Sequence, residues 1–229
     1  MKFQSPDYVR SMAPYQAGKP ISELAREYGL NEADIVKLAS NENPLGMPES
    51  AKRAMMAAVS ELGRYPDANG FELKAAIASR YAVPADWITL GNGSDELISL
   101  LAMACDAPTD DGQPATILAP EPGFVMYAMS AKLQGLNYIP VSLRDDFELD
   151  EPAMAHAIQT HQPAIVYLAY PNNPTANLWD PAVIRRLIAQ VSAYGGLVVM
   201  DEAYQPFSSR SWLDEIRRDP QANAQVLLM

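Results

Sequence analysis

From Pro48 onward, short apolar runs alternate with stretches of helical periodicity, and that alternation constrains the fold more than any other feature of the chain. The runs are Trp87–Leu90, Thr116–Ala119, Tyr138–Val141, Ile165–Ala169, Leu197–Met200 and Val226–Met229. Each is short enough for a strand and too short for a helix. Pro48 opens the first regular helix, in which Ala51, Ala54, Met55, Ala58, Val59 and Leu62 recur at helical spacing until Gly63. Phe71 to Tyr81 forms a second, and others begin at Ser94, Gly123, Glu151 and Asp180. The last carries Pro181 in its first turn, places Val183, Ile184, Leu187, Ile188 and Val191 on one face, and ends at Gly195-Gly196. Strands that alternate with helices imply a mostly parallel sheet covered on both faces, a three-layer α/β/α fold. Residues 1–47 differ, because Pro6, Pro14, Pro20 and Pro44 interrupt them around one helical stretch, Ile21–Tyr28. The expected organisation is an amino-terminal arm over 1–47 and a sheet domain over 48–229.

Composition narrows the functional classes. The 229 residues include 28 acidic and 17 basic side chains, a formal net charge of -11. A field of that sign repels phosphate backbones and argues against nucleic acid as a partner. It leaves room for a small anion, since backbone N–H groups in a local pocket override the global charge. Cys105 is the single cysteine, and His156 and His161 are the only histidines. A single cysteine rules out an internal disulfide and a cysteine zinc cluster, and two histidines give poor support to a histidine-based metal site or a Ser-His-Asp triad. No apolar stretch reaches membrane-spanning length, and a cytoplasmic protein with no membrane partner is expected.

In parallel α/β sheets, ligands bind at the carboxyl ends of strands, and four loops there carry unusual residues. Gly91-Asn92-Gly93-Ser94-Asp95-Glu96 leads into a helix whose free N–H groups suit a phosphate, although taken alone the loop favours Ser94 or Asp95 as a simple N-cap. Glu121-Pro122-Gly123-Phe124 brings an aromatic ring to the mouth of the sheet, either to stack on a flat ligand or to enter the core. Tyr170-Pro171-Asn172-Asn173-Pro174-Thr175 brackets two amides between prolines, as a fixed amide donor or as an Asn-Pro turn. Asp201-Glu202-Ala203-Tyr204 puts an acid directly after a buried run, where it is costly unless a cation or several donors meet it; a surface acid is the alternative.

Taken together and in order, Asn41-Glu42-Asn43-Pro44, Arg64-Tyr65-Pro66-Asp67, Gly93-Ser94-Asp95-Glu96, Pro122-Gly123-Phe124, Pro171-Asn172-Asn173-Pro174-Thr175 and Asp201-Glu202-Ala203-Tyr204 resemble the fold type I pyridoxal-phosphate-dependent aminotransferases, specifically the histidinol-phosphate aminotransferase group. The resemblance implies pyridoxal 5'-phosphate as cofactor and transfer of an amino group from L-histidinol phosphate to 2-oxoglutarate. An aromatic or broad-specificity aminotransferase, threonine-phosphate decarboxylase, or an inactive cofactor-binding remnant are the alternatives. It also implies roles by position. Asp201 pairs with the pyridine nitrogen, Asn173 and Tyr204 meet the ring's phenolic oxygen, and Phe124 stacks on the ring where the family often has tyrosine. Ser94 and Asp95 surround the cofactor phosphate, and Tyr65 reaches the phosphate in the partner subunit of a homodimer. Tyr15 and Asn43 lie in the arm that closes over substrate and contributes to the small domain.

Two departures accompany it. Ala176 stands where the family usually has glycine. The lysine that forms the Schiff base is expected beyond Met229, together with a following arginine and the carboxyl-terminal small domain. Lys2, Lys19, Lys37, Lys52, Lys74 and Lys132 all precede Asp201 and none sits in a matching motif. On this reading the 229-residue chain alone is inactive.

Overall fold

A strand that is apolar on both faces is stable only when both faces are covered, and the computed structural model has that arrangement. It describes residues 4–15, 18–105 and 112–229. In chain order the elements are α1 (Asp7–Arg10), α2 (Ile21–Tyr28), α3 (Glu49–Ala58), α4 (Phe71–Tyr81), α5 (Ser94–Ala104), β1 (Thr116–Glu121), α6 (Val125–Leu133), β2 (Asn137–Ser142), α7 (Glu151–His161), β3 (Ile165–Ala169), α8 (Pro181–Ser192), β4 (Leu197–Asp201), α9 (Leu213–Arg218) and β5 (Val226–Leu228). Short 3-10 turns lie between some of them.

The five strands pair in the order β2-β1-β3-β4-β5, every pair parallel. Alternate residues of each strand serve opposite layers. Leu118, Val166, Leu168, Val198 and Met200 pack with Met154 and Ile158 of α7 and with Ile184, Leu187, Ile188 and Val191 of α8. Ile117, Ala119, Ile165, Tyr167 and Val199 face the other way, against Ile98 and Ala102 of α5 and Tyr127 and Ala131 of α6. The three layers are therefore filled from both sides by residues one apart in sequence. Pro140 lies in β2 at the sheet edge, where a residue without an N–H leaves no inner ladder bond unmade.

Helix starts follow local chemistry. Asp180 accepts from the Ala182 N–H at 2.8 Å and Pro181 occupies the first helical position of α8; Asp150 caps α7 the same way through Ala153 at 3.0 Å. The helix expected from Gly123 begins two residues later, after Phe124 at its N-cap. The backbone doubles back here, so that a Cβ on Gly123 would lie 2.5 Å from the Pro120 carbonyl oxygen.

One expected strand does not form. Ala85–Trp87 is a 3-10 turn introduced by Pro84, and Ile88 to Leu90 run on without a ladder partner among the described residues. Ile88 has extended dihedrals, so the local propensity for a strand is real. A strand also needs a neighbour, which propensity does not supply.

The chain divides into two units, one holding the segment ending at Met12 with Leu90–Met229, the other Ala13–Thr89. This division differs from a boundary at 47/48: α3 and α4 group with the residues before them, and neither core of the sheet draws a residue from them. In the Ala13–Thr89 unit the described residues bury only Ala25, while Leu38, Leu45, Met56, Leu62, Tyr65 and Phe71 are exposed.

Candidate functional site

β1 pairs with β2 on one side and β3 on the other, which puts the switch in strand order between β1 and β3. Crevices form outside the carboxyl ends of strands at such a point. A small pocket of about 70 Å³ opens there, lined by Ser94, Phe124, Tyr127, Ala169, Asn173, Asp201, Ala203 and Tyr204. Five of the expected residues thus converge, contributed by the start of α5 and the loops after β1, β3 and β4.

Asp201 ends β4 and is 5% exposed. Its Oδ2 accepts from the Tyr127 hydroxyl at 2.7 Å and its Oδ1 from the Ala203 N–H at 3.0 Å. Burial pushes its carboxyl above the usual range, with the negative charge of Asp95 adding to the rise, while the two hydrogen bonds pull the other way. No lysine or arginine is among the residues lining the pocket. An anion lodged among apolar and neutral groups attracts a cation of the right size. Glu202, the next residue, turns elsewhere: it accepts from the Ser211 hydroxyl at 2.7 Å and from the Trp212 N–H, anchoring the chain ahead of α9.

The two amides between the prolines separate in the same way. Asn172 is buried and donates to the Pro122 carbonyl at 3.1 Å and the Thr175 hydroxyl at 2.7 Å, tying the loop after β3 to the loop after β1. Asn173 lines the pocket. Both sequence alternatives therefore apply, each to a different asparagine.

At α5 the expectation of Ser94 or Asp95 as N-cap is corrected. Gly93 is the N-cap at φ 79°, a conformation glycine accepts freely, and no side chain caps the helix. Ser94 is the first helical residue and lines the pocket, so the helix start presents N–H groups suited to an anion. Asp95 is exposed and does not line the pocket.

Tyr15, Asn43 and Tyr65 belong to the Ala13–Thr89 unit. Tyr15 and Tyr65 are exposed, and Asn43 closes its own turn, accepting from the Leu45 N–H at 3.0 Å and donating to the Gly46 carbonyl at 3.3 Å.

Sequence reasoning missed Tyr127. It lies three residues after Phe124, one turn along α6, stacked on Tyr167 (centroids 4.3 Å, planes 7° apart) with the Phe124 ring edge-on at 5.6 Å. The i, i+3 spacing from an aromatic already singled out was the available signal.

Ala176 adopts φ 61°, the left-handed region that the replacement of glycine had put in question, and its N–H donates to the Asn172 carbonyl at 2.7 Å. A Cβ in that region costs on the order of 1–2 kcal/mol, partly offset by the lower unfolded-state entropy of alanine. Ala176→Gly is expected to stabilise the chain by about 1 kcal/mol, raising Tm by roughly 2–4 °C, as differential scanning calorimetry would read.

Parallel sheet, switch-point pocket, buried acid and uncapped helix start together define an α/β protein with its candidate site at the carboxyl ends of the strands. The family described as aminotransferase class I and II matches residues 33–226, and the chain belongs to it. The chain is 54% identical over 198 residues to a histidinol-phosphate aminotransferase of Paracidovorax citrulli, covering 85% of this chain and 53% of that protein. It is 51% identical over 222 residues to histidinol-phosphate aminotransferase 1 of Cupriavidus pinatubonensis, 94% of this chain and 56% of that one. Among solved structures, histidinol-phosphate aminotransferase from Sinorhizobium meliloti in complex with pyridoxal-5'-phosphate superposes with a TM-score of 0.71 at 24% identity, over 90% of this chain and 53% of that chain, a likeness of fold. The chain spans about half the length of the curated relatives it matches.

Proposed function

We propose that this chain is the cofactor-holding part of a pyridoxal-phosphate-dependent transaminase that moves an amino group from L-histidinol phosphate to 2-oxoglutarate in histidine biosynthesis. The observation that carries the proposal is Asp201, a doubly hydrogen-bonded carboxylate almost removed from solvent at the floor of an uncharged pocket. The donor set fits the cofactor. Asp201 would hold the pyridine nitrogen in its protonated form, Phe124 would cover a ring face, and Asn173 and Tyr204 would hold the phenolic oxygen. Ser94 and the N–H groups at the start of α5 would hold the phosphate, with Asp95 contributing its backbone and not its carboxylate. Pyridoxal phosphate, when bound, supplies the electron sink that stabilises the carbanion at the substrate's Cα. The substrate choice is supported by the names of the relatives at 51–54% identity.

A homodimer is part of the proposal, with Tyr65 reaching the cofactor phosphate of the partner subunit and Tyr15 and Asn43 closing over substrate. The exposed Met56, Leu62, Tyr65 and Phe71 support it, as apolar surface of this kind calls for a cover. A cytoplasmic setting is proposed with it; among the described residues no helix is long and apolar enough to cross a membrane.

Two measurements test the reading. Titrating the 229-residue chain with pyridoxal phosphate should give saturable binding that borohydride does not make covalent, because no lysine lines the pocket. The whole protein should transaminate L-histidinol phosphate with 2-oxoglutarate. Turnover of phenylalanine without turnover of histidinol phosphate would replace the substrate assignment, and failure to bind the cofactor would remove the reading altogether.

A further inference from the structure

The hydroxyl of Tyr127 ends on the one buried acid of the pocket, and the rest of the side chain leaves it little freedom to do otherwise. Its ring is held between the parallel face of Tyr167 and the edge of Phe124, and the residue is 2% exposed. Tyr127 sits on α6 and Tyr167 on β3, so three elements fix the position of an oxygen that meets Asp201 on β4. Core packing alone does not call for that oxygen, since phenylalanine has the same ring and nearly the same volume. A buried hydroxyl without a partner is costly, so the hydrogen bond and the ring position have to be satisfied together.

We propose that Tyr127 is a positioning residue that keeps Asp201 ionised and directed into the pocket, and thereby sets how tightly the pocket holds a protonated ring nitrogen. The proposal deepens the cofactor reading and rests on it for the identity of the ring. Ala203 N–H occupies Oδ1 and Tyr127 occupies Oδ2, which fixes the carboxylate plane and leaves its remaining lone pairs for a ligand. A hydrogen bond donated to an ionised carboxylate favours the ionised form, opposing desolvation. The charged and titratable groups facing Asp201 are Tyr127 from α6, Asp95 from α5, Tyr167 from β3 and the adjoining Glu202. Asp95, Tyr167 and Glu202 bring like charge or a neutral phenol, so among side chains Tyr127 is the group that supports ionisation. Burial, and then the Asp201 carboxylate, push the Tyr127 hydroxyl well above its usual range, so it stays a donor throughout the working pH range.

The test is a carboxyl ¹³C NMR titration of the ligand-free chain, with the Asp201 resonance assigned by its loss in Asp201→Asn. Tyr127→Phe keeps ring, stack and volume, so folding is retained, as far-UV circular dichroism would verify. The variant should move the Asp201 midpoint upward by about one pH unit, the order expected for one hydrogen bond to a charged group. Tyr167→Phe, which keeps the stack and makes no bond to Asp201, should leave the midpoint in place. Pyridoxal phosphate should bind Tyr127→Phe about tenfold more weakly, with the acid limb of binding displaced upward by the same interval. An unchanged midpoint in Tyr127→Phe, or an equal displacement in Tyr167→Phe, would overturn the proposal and leave Tyr127 a core aromatic. A displaced midpoint in a chain that binds no pyridoxal phosphate would uphold the hold on Asp201 and overturn the cofactor reading instead.

Discussion

Asp201→Asn is expected to weaken pyridoxal phosphate binding by about 10²- to 10⁴-fold while raising the thermal stability of the ligand-free chain at neutral pH. Both effects come from one burial. In the ligand-free protein the carboxylate sits 5% exposed with two donors and no cation among the pocket-lining residues, so its ionised form carries a desolvation penalty. Its folded pKa is accordingly raised from 3.8, chiefly by burial. For a group raised on folding, the stabilising contribution is present below the unfolded value and is lost as pH rises through the folded one. Wild type therefore lacks that contribution at neutral pH, and the isosteric amide removes the penalty. The gap in Tm between variant and wild type should shrink as pH falls through the raised folded value, where wild-type Asp201 takes up its proton, and level off below the unfolded value of 3.8. With ligand the sign reverses, because the amide offers no charge to a protonated nitrogen and breaking such a pair costs about 3–5 kcal/mol. Calorimetry across pH, paired with fluorescence titration by pyridoxal phosphate, reads both effects. Equal affinity in variant and wild type would remove Asp201 from the site.

Trp179→Ala is expected to destabilise the chain by about 3–5 kcal/mol, enough to lower Tm by roughly 10 °C or more. Trp179 is fully buried in the core between the sheet and the α7–α8 layer. Its indole N–H donates at 3.0 Å to the Phe147 carbonyl, which also accepts from the Asn177 side chain at 2.8 Å. Phe147 holds φ 62°, so these two donors brace a left-handed turn after β2 against the segment leading from the Asn173 loop into α8. Alanine removes the ring, leaves a cavity and withdraws one donor from a carbonyl that keeps the other. Trp179→Phe should recover about half of the loss, since the ring volume largely returns while the N–H does not. Chemical denaturation of the three proteins measures the series. A loss below about 1 kcal/mol for Trp179→Ala would show that the site collapses around the deletion.

Much of the site was legible because its residues announce themselves locally. Glycines mark the turn into α5, prolines bracket Asn172 and Asn173, and an acid follows an apolar run at Asp201. Each of these is a departure from what a strand or helix prefers, and such departures concentrate where a ligand has to be met. Tyr127 is the counterexample. It lies inside a helix, on an apolar face, and its partner is 74 residues away. Apart from its i, i+3 spacing from Phe124, nothing in its neighbourhood distinguishes it from a core aromatic, since the partner is brought to it only when α6 packs on the sheet. The two asparagines show the same limit, as sequence presents them as equals and only the packing against the Pro122 carbonyl separates the buried brace from the pocket residue.

The alternation of apolar runs with helical periods by itself determined the class of sheet, its parallel strands and the end at which the pocket lies, because burial on two faces permits few other arrangements. It could not determine pairing. Ile88–Leu90 has the residues of a strand, with extended dihedrals at Ile88, and takes no place in the sheet, while Val226–Leu228, a run of similar length, does. Tertiary structure decided that, as it decided the grouping of α3 and α4 with Ala13–Thr89 and the meeting of Tyr127 with Asp201. The reason is common to all three: periodicity is a property of neighbours along the chain, whereas ladders, cores and buried hydrogen bonds are made between residues that only folding brings together.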